Sequence, residues 1–298
     1  MATRTRRLGS AVDSAPPELY FVVSAVFHYL GPAFAVLLFA RVGVLGVAWL
    51  RIASAALIFA AWRRPWRAFA RLDRPGRRML VEWGSVLAVM NACFYLSIDR
   101  LPLGTVAAIE FLPVIALAAL GARTRRNALA LLLAVPGVYL LTDVRLEAAP
   151  LGVALAFANA VLFALYIVLA HRVARYGGLS GIDGLGASML IAAVVVTPLG
   201  GWQAGHVLSD PVALLAGAGV GLSSSVIPYV TDQLAMRRLA RATYALMVSL
   251  LPATATVIGI VVLAQIPSAV EIAGVGLVVT GVAVHREPLV AVKSREFP

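Results

Sequence analysis

Two charged side chains stand inside apolar segments of this chain. Arg51 lies within the run WLRI, and Glu110 lies within the run AIEF. An ionised group in an apolar medium is costly, so both residues are functional candidates. Two roles are open: the residues neutralise each other as a structural pair, or they act on a ligand. In the second role Glu110 carries a proton or binds an ammonium group, while Arg51 orients Glu110 or receives a carboxylate. The roles are compatible if an arriving substrate or proton breaks the pair.

Other polar residues lie at a similar depth. At ~1.5 Å per helical residue, Arg51 and Glu110 lie roughly 12 Å and 9 Å from one end of their segments. Asn91 and Asn159 fall at nearly the same level, so the four side chains predict a polar layer. Helical spacing adds further residues that we expect to line a cavity with them: His28, Tyr29, Tyr95, Tyr166, Tyr229 and Ser249.

Two prolines occupy matching places in the two halves of the chain. Pro113 and Pro252 each follow an apolar pair, FL and LL respectively. Proline removes an intrahelical hydrogen bond and bends a helix. We therefore predict paired bends beside the cavity.

Ten apolar spans must position these side chains. The chain is 61% hydrophobic and only 13% charged, which is far from the composition of a soluble domain. We predict spans at 18–40, 43–62, 79–98, 104–121, 128–143, 151–171, 183–203, 211–231, 241–264 and 269–285. Most are long enough to cross a hydrocarbon layer of ~30 Å. Backbone groups in lipid need internal partners, so the spans should be α-helices.

The basic residues fall almost entirely on one side of these spans. Of the 25 Lys and Arg residues, only Arg41, Arg100 and Arg145 fall in loops of the opposite side. This bias predicts that both termini are cytoplasmic. The arginine-rich 63–78 loop could also contact anionic lipid headgroups, although a role in topology alone accounts for its charge.

Several other functions lack support in the sequence. The net charge of +11 resides in the cytoplasmic loops, so it does not indicate nucleic-acid binding. Cys93 is the only cysteine and the four histidines are scattered, so we expect no metal site and no cofactor. A membrane-embedded enzyme would show a cluster of His, Asp or Cys near one interface, and a non-transporting scaffold has no positive feature in its favour.

An odd number of spans in each half has a topological consequence. A second set of five must begin on the opposite side from the first and pack against it as an inverted repeat. Such folds are used for alternating access, with the substrate site at the repeat interface near the membrane midplane. The predicted polar layer draws residues from both halves, as this arrangement requires.

Nearly the whole chain, from about 18 to 285, resembles a known family, most specifically in the third and fourth spans. The stretch MNACFYLSI at 90–98, the run LPLG at 101–104 and AIEF at 108–111 resemble the EamA-type drug/metabolite transporters, most closely their threonine/homoserine exporter branch. Members commonly carry Glu before the span-nine proline and a Gly-Glu pair after that span. This chain has Leu251 and Ala264-Gln265 in those places, so only the first half keeps its acid.

The resemblance implies an all-α membrane protein of ten helices in two inverted EamA repeats around a central cavity. The repeats would be 18–143 and 151–285, with cytoplasmic tails at 1–17 and 286–298. The expected function is secondary active export of small metabolites, amino acids above all, by proton-coupled alternating access across a bacterial plasma (inner) membrane. The alternative is a broad-specificity exporter of hydrophobic or cationic compounds. Expected partners are the substrate, protons and lipids, and the sequence leaves open whether the chain forms a homodimer.

Overall fold

The computed structural model describes residues 16–121, 124–146, 148–176, 181–238, 247–248 and 250–284. Within them the chain is helical and contains no strand. The helices are α1 (Pro17–Val42), α2 (Val44–Arg63), α3 (Pro65–Arg71), α4 (Arg74–Ile98), α5 (Leu103–Gly121), α6 (Arg125–Leu146), α7 (Pro150–Arg175), α8 (Gly181–Val196), α9 (Pro211–Gly221), α10 (Ile227–Arg238), α11 (Leu251–Leu263) and α12 (Ala269–Val284). The predicted all-α class is therefore confirmed.

Six helices are long and apolar enough to cross a membrane. They are Glu18–Val42, Val44–Arg63, Arg74–Ile98, Pro150–Val173, Ile182–Ala204 and Pro211–Thr231. Shorter apolar helices occupy Leu103–Pro113, Leu251–Leu263 and Ala269–Val284. The remaining long helix, α6, covers the span predicted at 128–143.

Two of the long helical segments contain a π-helical turn, which is wider than a regular α-helical turn. A π-helical turn at Thr197–Gly201 follows α8, and another at Leu222–Val226 joins α9 to α10. A proline lies at or just after each turn, Pro198 in the first and Pro228 after the second. Proline has no N–H for the carbonyl four residues earlier, so the regular ladder cannot continue there.

The segment predicted as a loop at 63–78 contains a helix instead. Pro65 begins α3, where its missing N–H would be unpaired in any case. Asp73 then ends the connection by accepting a hydrogen bond from the Gly76 N–H at 3.0 Å, which starts α4. Proline and aspartate thus shorten the loop that hydropathy alone indicated.

Packing joins the first five long helices to the later ones. α6 lies along α12, α4 lies against α7 and α8, and α1 lies against α10 and α11. α5 packs on both α7 and α11. The main apolar core draws on both halves, with Tyr29, Tyr95 and Ile109 among its fully buried members. The interface between the halves is therefore the core of the molecule.

Candidate functional site

Arg51 is held by the second half of the chain. Its Nε donates to Ser225 Oγ at 3.1 Å, and its terminal nitrogen Nη2 donates to the Ser224 carbonyl at 3.2 Å. That carbonyl would normally accept from the residue four positions on, which is Pro228 and has no N–H. Arg51 therefore donates to a carbonyl that Pro228 leaves without its usual helical donor. Only 8% of Arg51 is exposed, so these bonds compensate for the removal of its charge from solvent.

A close approach of α1 to the same turn depends on glycine. A Cβ at Gly31 would lie 2.0 Å from Ser224 Oγ and 2.7 Å from the Ser224 backbone nitrogen. One helical turn beyond Ser224, the Pro228 carbonyl accepts a hydrogen bond from Ser24 Oγ on α1 at 3.1 Å. Small residues on α1 thus allow it to pack directly on the widened turn.

Glu110 is also linked to the opposite half. Asn159 Nδ2 on α7 donates to Glu110 Oε1 on α5 at 3.0 Å. Both residues are buried, with Asn159 fully inaccessible. A hydrogen bond to a carboxylate is stronger than one between neutral groups, so this contact fixes the side chain that the sequence singled out.

Arg51 and Glu110 do not form an ion pair. Each has separate partners, and among the ion pairs of the described residues none joins these two. They remain near enough for their charges to interact, and the Arg51 charge also reaches His28 while that of Glu110 reaches Tyr29. The structure thus separates the two charges that the sequence suggested as a neutralised pair.

Three predicted cavity residues each have a buried polar atom without a hydrogen-bond partner among the described residues. These atoms are the Tyr29 hydroxyl, the Tyr95 hydroxyl and Asn159 Oδ1. Buried polar atoms are almost always paired, and exceptions suggest a place for a ligand or water. His28 is half-buried and packs edge to face on the Tyr29 ring, 5.1 Å between centroids.

The two predicted α4 residues have different surroundings. Asn91 Nδ2 donates to the Leu87 carbonyl of its own helix at 2.8 Å. Tyr95 is fully buried, and the Arg51 guanidinium lies over its ring at 5.4 Å from the centroid. The Tyr95 hydroxyl also lies beside Ser224, without a well-aligned hydrogen bond. Arg51 is therefore fixed by a cation–π contact as well as by its hydrogen bonds.

The other two predicted tyrosines belong to a second apolar cluster. Tyr166 stacks on Phe163 at 6.4 Å and lies 5.5 Å from the Trp83 ring. Tyr229 packs against the same cluster. Phe163 contacts Phe111, the neighbour of Glu110, at 6.4 Å. An aromatic row thus runs from the polar layer along α4 and α7.

The remaining predicted residues have mixed outcomes. Pro113 lies inside α5, whereas Pro252 lies in the first turn of α11. In that position proline favours a helix start, so the structure does not place Pro252 at an internal bend of α11. Ser249 lies outside the described residues.

Two glutamines for which the sequence predicted no capping role hold helix starts. Gln203 Oε1 accepts from the Leu45 and Gly46 N–H groups at 3.0 and 3.1 Å, at the start of α2. Gln265 Oε1 accepts from the Leu103 N–H at 3.0 Å, at the start of α5. These are unpaired donors of the helices that carry Arg51 and Glu110. No local pattern marks such caps, since each partner lies more than 150 residues away.

Ala264-Gln265 has a structural explanation. Ala264 ends α11 with φ of +52°, a conformation that glycine adopts more easily. The resemblance noted in the sequence analysis implies glycine at this place. Gln265 then turns its side-chain oxygen to α5, as a carboxylate could also do. The glutamine therefore serves as a cap in the place of the missing acid.

Comparisons with known proteins identify the family of this chain. Residues 150–285 match the EamA-like transporter family. The chain is 31% identical over 280 residues to the threonine/homoserine exporter RhtA of Salmonella typhimurium, covering 91% of this chain and 93% of that protein. It is 32% identical over 266 residues to RhtA of Escherichia coli K12, covering 88% of each.

A chain of known crystal structure shares the fold. It superposes with a TM-score of 0.58 at 18% identity, over 90% of this chain and 96% of the other. The helices that can span a membrane and the exporter relatives together indicate a multi-pass membrane protein. By its sequence similarity along nearly the whole length, the chain belongs to the EamA-like transporter family, in the threonine/homoserine exporter branch.

Proposed function

We propose that this protein exports small amino acids across the bacterial inner membrane, with threonine and homoserine as the first candidates. The curated relatives are named for those two substrates. Export would proceed by alternating access and would be coupled to protons. The observation that carries the proposal is the Asn159–Glu110 hydrogen bond, which joins the two halves at the level of Arg51.

The contacts at the helix ends support the inverted repeat. Arg63 pairs with Asp183, two residues assigned to the cytoplasmic side, with Nε to Oδ1 at 2.9 Å. Tyr176 donates to Asp73 on that same side at 2.7 Å. Two pairs assigned to the outer side also meet: Arg41 with Asp210, and Arg145 with Glu271. Among the ion pairs of the described residues, none joins one predicted side to the other, which is what a correct alternation requires.

The polar layer offers complementary groups for an amino acid. In the proposed cycle Glu110 alternates between a proton and the substrate ammonium group, and Asn159 keeps the carboxylate in place. Arg51 supplies the positive field toward which a substrate carboxylate is oriented. Tyr29 and Asn159 each supply an unpaired polar atom for the substrate hydroxyl. Arginine is suited to this role because it stays charged.

The aromatic row favours a second candidate. Phe111, Phe163, Tyr166 and Trp83 form a continuous apolar surface next to Glu110. Such a surface would accept hydrophobic or aromatic compounds. A broad-specificity exporter is therefore the alternative, with the same layer as its polar end.

Efflux from loaded vesicles tests the proposal. Proteoliposomes are filled with a mixture of amino acids and metabolites, and release is compared among the native protein, Glu110→Gln and Arg51→Ala. Glu82→Gln is the control, because 42% of the Glu82 side chain is exposed and its ion pair among the described residues is with Arg78 on its own helix. We expect threonine and homoserine release from the native protein and the control, with strong loss in both layer variants. Release of no compound above protein-free vesicles would refute export, and selective release of aromatic compounds would favour the alternative.

A further inference from the structure

A second polar pocket lies away from the central layer. It has a volume of about 350 Å³ and is lined by Asp99, Arg100, Thr105, Arg145, Gln265 and Glu271, among others. We call it the outer pocket, since these residues belong to the helix ends assigned to the outer side. Its size is at the small end of the ~300–1,000 Å³ range of ligand pockets, which suits a small metabolite.

The charges of the outer pocket balance. Arg145 pairs with Glu271 at 2.8 Å, and Arg100 pairs with its neighbour Asp99 at 3.1 Å. Two guanidinium groups and two carboxylates therefore face one small volume. Such a site favours a ligand that carries both charges over a simple anion or cation, because a singly charged ligand leaves repulsive groups uncompensated.

Part of this constellation is rigidly held. Glu271 is 3% exposed, and its second oxygen accepts from the Ser268 N–H and hydroxyl at 2.9 and 3.0 Å. Its first oxygen accepts from Arg145 Nε at 2.9 Å. The Glu271 N–H donates in turn to Ser268 Oγ at 3.3 Å, so the two residues form a capping box that holds the carboxylate at the start of α12. Arg145 itself keeps about a third of its side chain exposed, in the pocket.

The outer pocket and the polar layer draw on the same helix. Thr105 and Glu110 stand on the same helix, five residues or ~7.5 Å of helical rise apart. Gln265 lines the pocket and also holds the start of that helix. The distribution of arginines on the outer side also singles out this pocket. Of the three arginines assigned to that side, Arg100 and Arg145 line the pocket. The third, Arg41, pairs with Asp210 outside it.

We propose that the outer pocket is a second, release-side binding site for amino-acid zwitterions, with Arg100 and Arg145 receiving the carboxylate and Asp99 the ammonium group. This proposal rests on the proposed export function. A substrate leaving the central layer would pause here before it enters the outer solution. An external amino acid would occupy the same place.

Protection of an introduced cysteine tests the site directly. Ile266 lines the pocket and is 88% exposed, and Cys93 is the only native cysteine. Ile266→Cys in a Cys93→Ser background is labelled on intact cells with a membrane-impermeant maleimide. Threonine is added outside, and threonine amide, which lacks the carboxylate, is the comparison ligand. Leu208→Cys, exposed in the turn before α9, is the control thiol.

The expected result is that threonine slows the labelling of Ile266→Cys but not that of Leu208→Cys, and that the amide protects poorly. Adding Arg100→Gln should raise the half-protecting threonine concentration about tenfold, since a hydrogen bond to a charged group is lost. Arg41→Gln, which removes an outer arginine distant from the pocket, should leave that concentration unchanged. Equal protection by threonine and its amide, or unaltered protection in Arg100→Gln, would overturn the proposal.

Efflux assays separate this proposal from the export function. Threonine release by the Cys93→Ser/Ile266→Cys protein without protection by external threonine would reject the outer site and leave export standing. Protection without release of any amino acid would reject export, and with it the release role of the site.

Discussion

Arg51 occupies the hydrogen-bonding position that Pro228 leaves open in the second half of the protein. Its Nη2 donates to the Ser224 carbonyl at 3.2 Å, where a regular helix would have the N–H of residue 228. The π-helical turn, the close approach of Gly31 and the orientation of Arg51 are therefore parts of one arrangement. The Arg51 side chain in the first half is thus positioned by the interrupted helix before Pro228 in the second half.

Restoring the missing N–H should weaken this arrangement. Pro228→Ala supplies a helical donor that competes with Arg51 for the Ser224 carbonyl, so the Arg51 hydrogen bond should weaken. We expect normal membrane levels and an efflux rate reduced by roughly tenfold, as for loss of one charged hydrogen bond. The measurement is threonine efflux from proteoliposomes of equal protein content. Pro136→Ala, at an exposed position inside α6, serves as the control and should keep the native rate.

The α1 crossing should not tolerate a larger residue. Gly31→Ala places a Cβ against the Ser224 backbone, so we expect a loss of roughly 1–3 kcal/mol from overpacking. Gly276→Ala on α12 meets nothing within 4 Å and should be neutral or stabilising, because alanine favours helix. Thermal unfolding of the purified proteins measures both. Equal unfolding temperatures for the two variants would show that α1 can move away from the turn.

Gln265 should accept replacement by an acid but not by an apolar residue. Gln265→Glu keeps an oxygen for the Leu103 N–H and adds a negative charge at a helix start, worth about 0.3–1 kcal/mol. Gln265→Leu leaves that donor unpaired. We expect efflux near the native rate for the first variant, and a lower unfolding temperature with reduced efflux for the second. A fully active Gln265→Leu would mean that the cap is dispensable.

The cytoplasmic Asp73–Tyr176 contact predicts a pH-dependent stability. The hydrogen bond from Tyr176, followed by that from the Gly76 N–H, lowers the pKa of the Asp73 carboxyl below its ordinary value. The stabilisation is therefore present above the ordinary aspartate pKa of about 4 and is lost as pH falls through the lower native value. The same bond raises the pKa of Tyr176, so that contribution is present below about pH 10 and is lost at higher pH.

Removing one partner checks this contact. Tyr176→Phe should lower the unfolding temperature at neutral pH and reduce its dependence on acid pH, measured by thermal unfolding from pH 3 to 7. The double variant Tyr176→Phe/Asp73→Asn separates the effect of the Tyr176 hydrogen bond from that of the Asp73 cap. Compared with Tyr176→Phe, it should lose only the stability that the cap gives to α4. If the unfolding temperature of Tyr176→Phe depends on pH as that of the native protein does, the lowered pKa of Asp73 would be due to the cap alone.

The sequence predicted site residues where a polar or charged side chain lies in an apolar segment. Arg51 and Glu110 were evident because charge in an apolar run is costly, and Asn159 because its depth matched theirs. The all-α class followed from the same apolar runs. The start of α4 and the short α3 were missed because arginines lowered the local hydropathy, while Pro65 and Asp73 set the helix boundaries.

Long-range partners could not be read from the sequence. Gln203 and Gln265 cap helices that lie far away along the chain, so neither their residue type nor their neighbours distinguish them. The separation of Arg51 from Glu110 depends on the turn before Pro228, whose position in space is set by the packing of α1. The effect of Pro228 on Arg51 is therefore evident only in the tertiary structure.

The pH dependence of Glu110→Gln efflux tests the central claim most directly. Vesicles loaded with threonine are placed in buffers that set the outer side more acidic than, equal to, or more alkaline than the lumen. Glu82→Gln is the matched control. We predict that acid outside accelerates efflux by the native protein and by the control, while Glu110→Gln responds to no gradient. Full gradient dependence in Glu110→Gln, with threonine still released, would contradict the assignment of Glu110 as the proton-coupling residue.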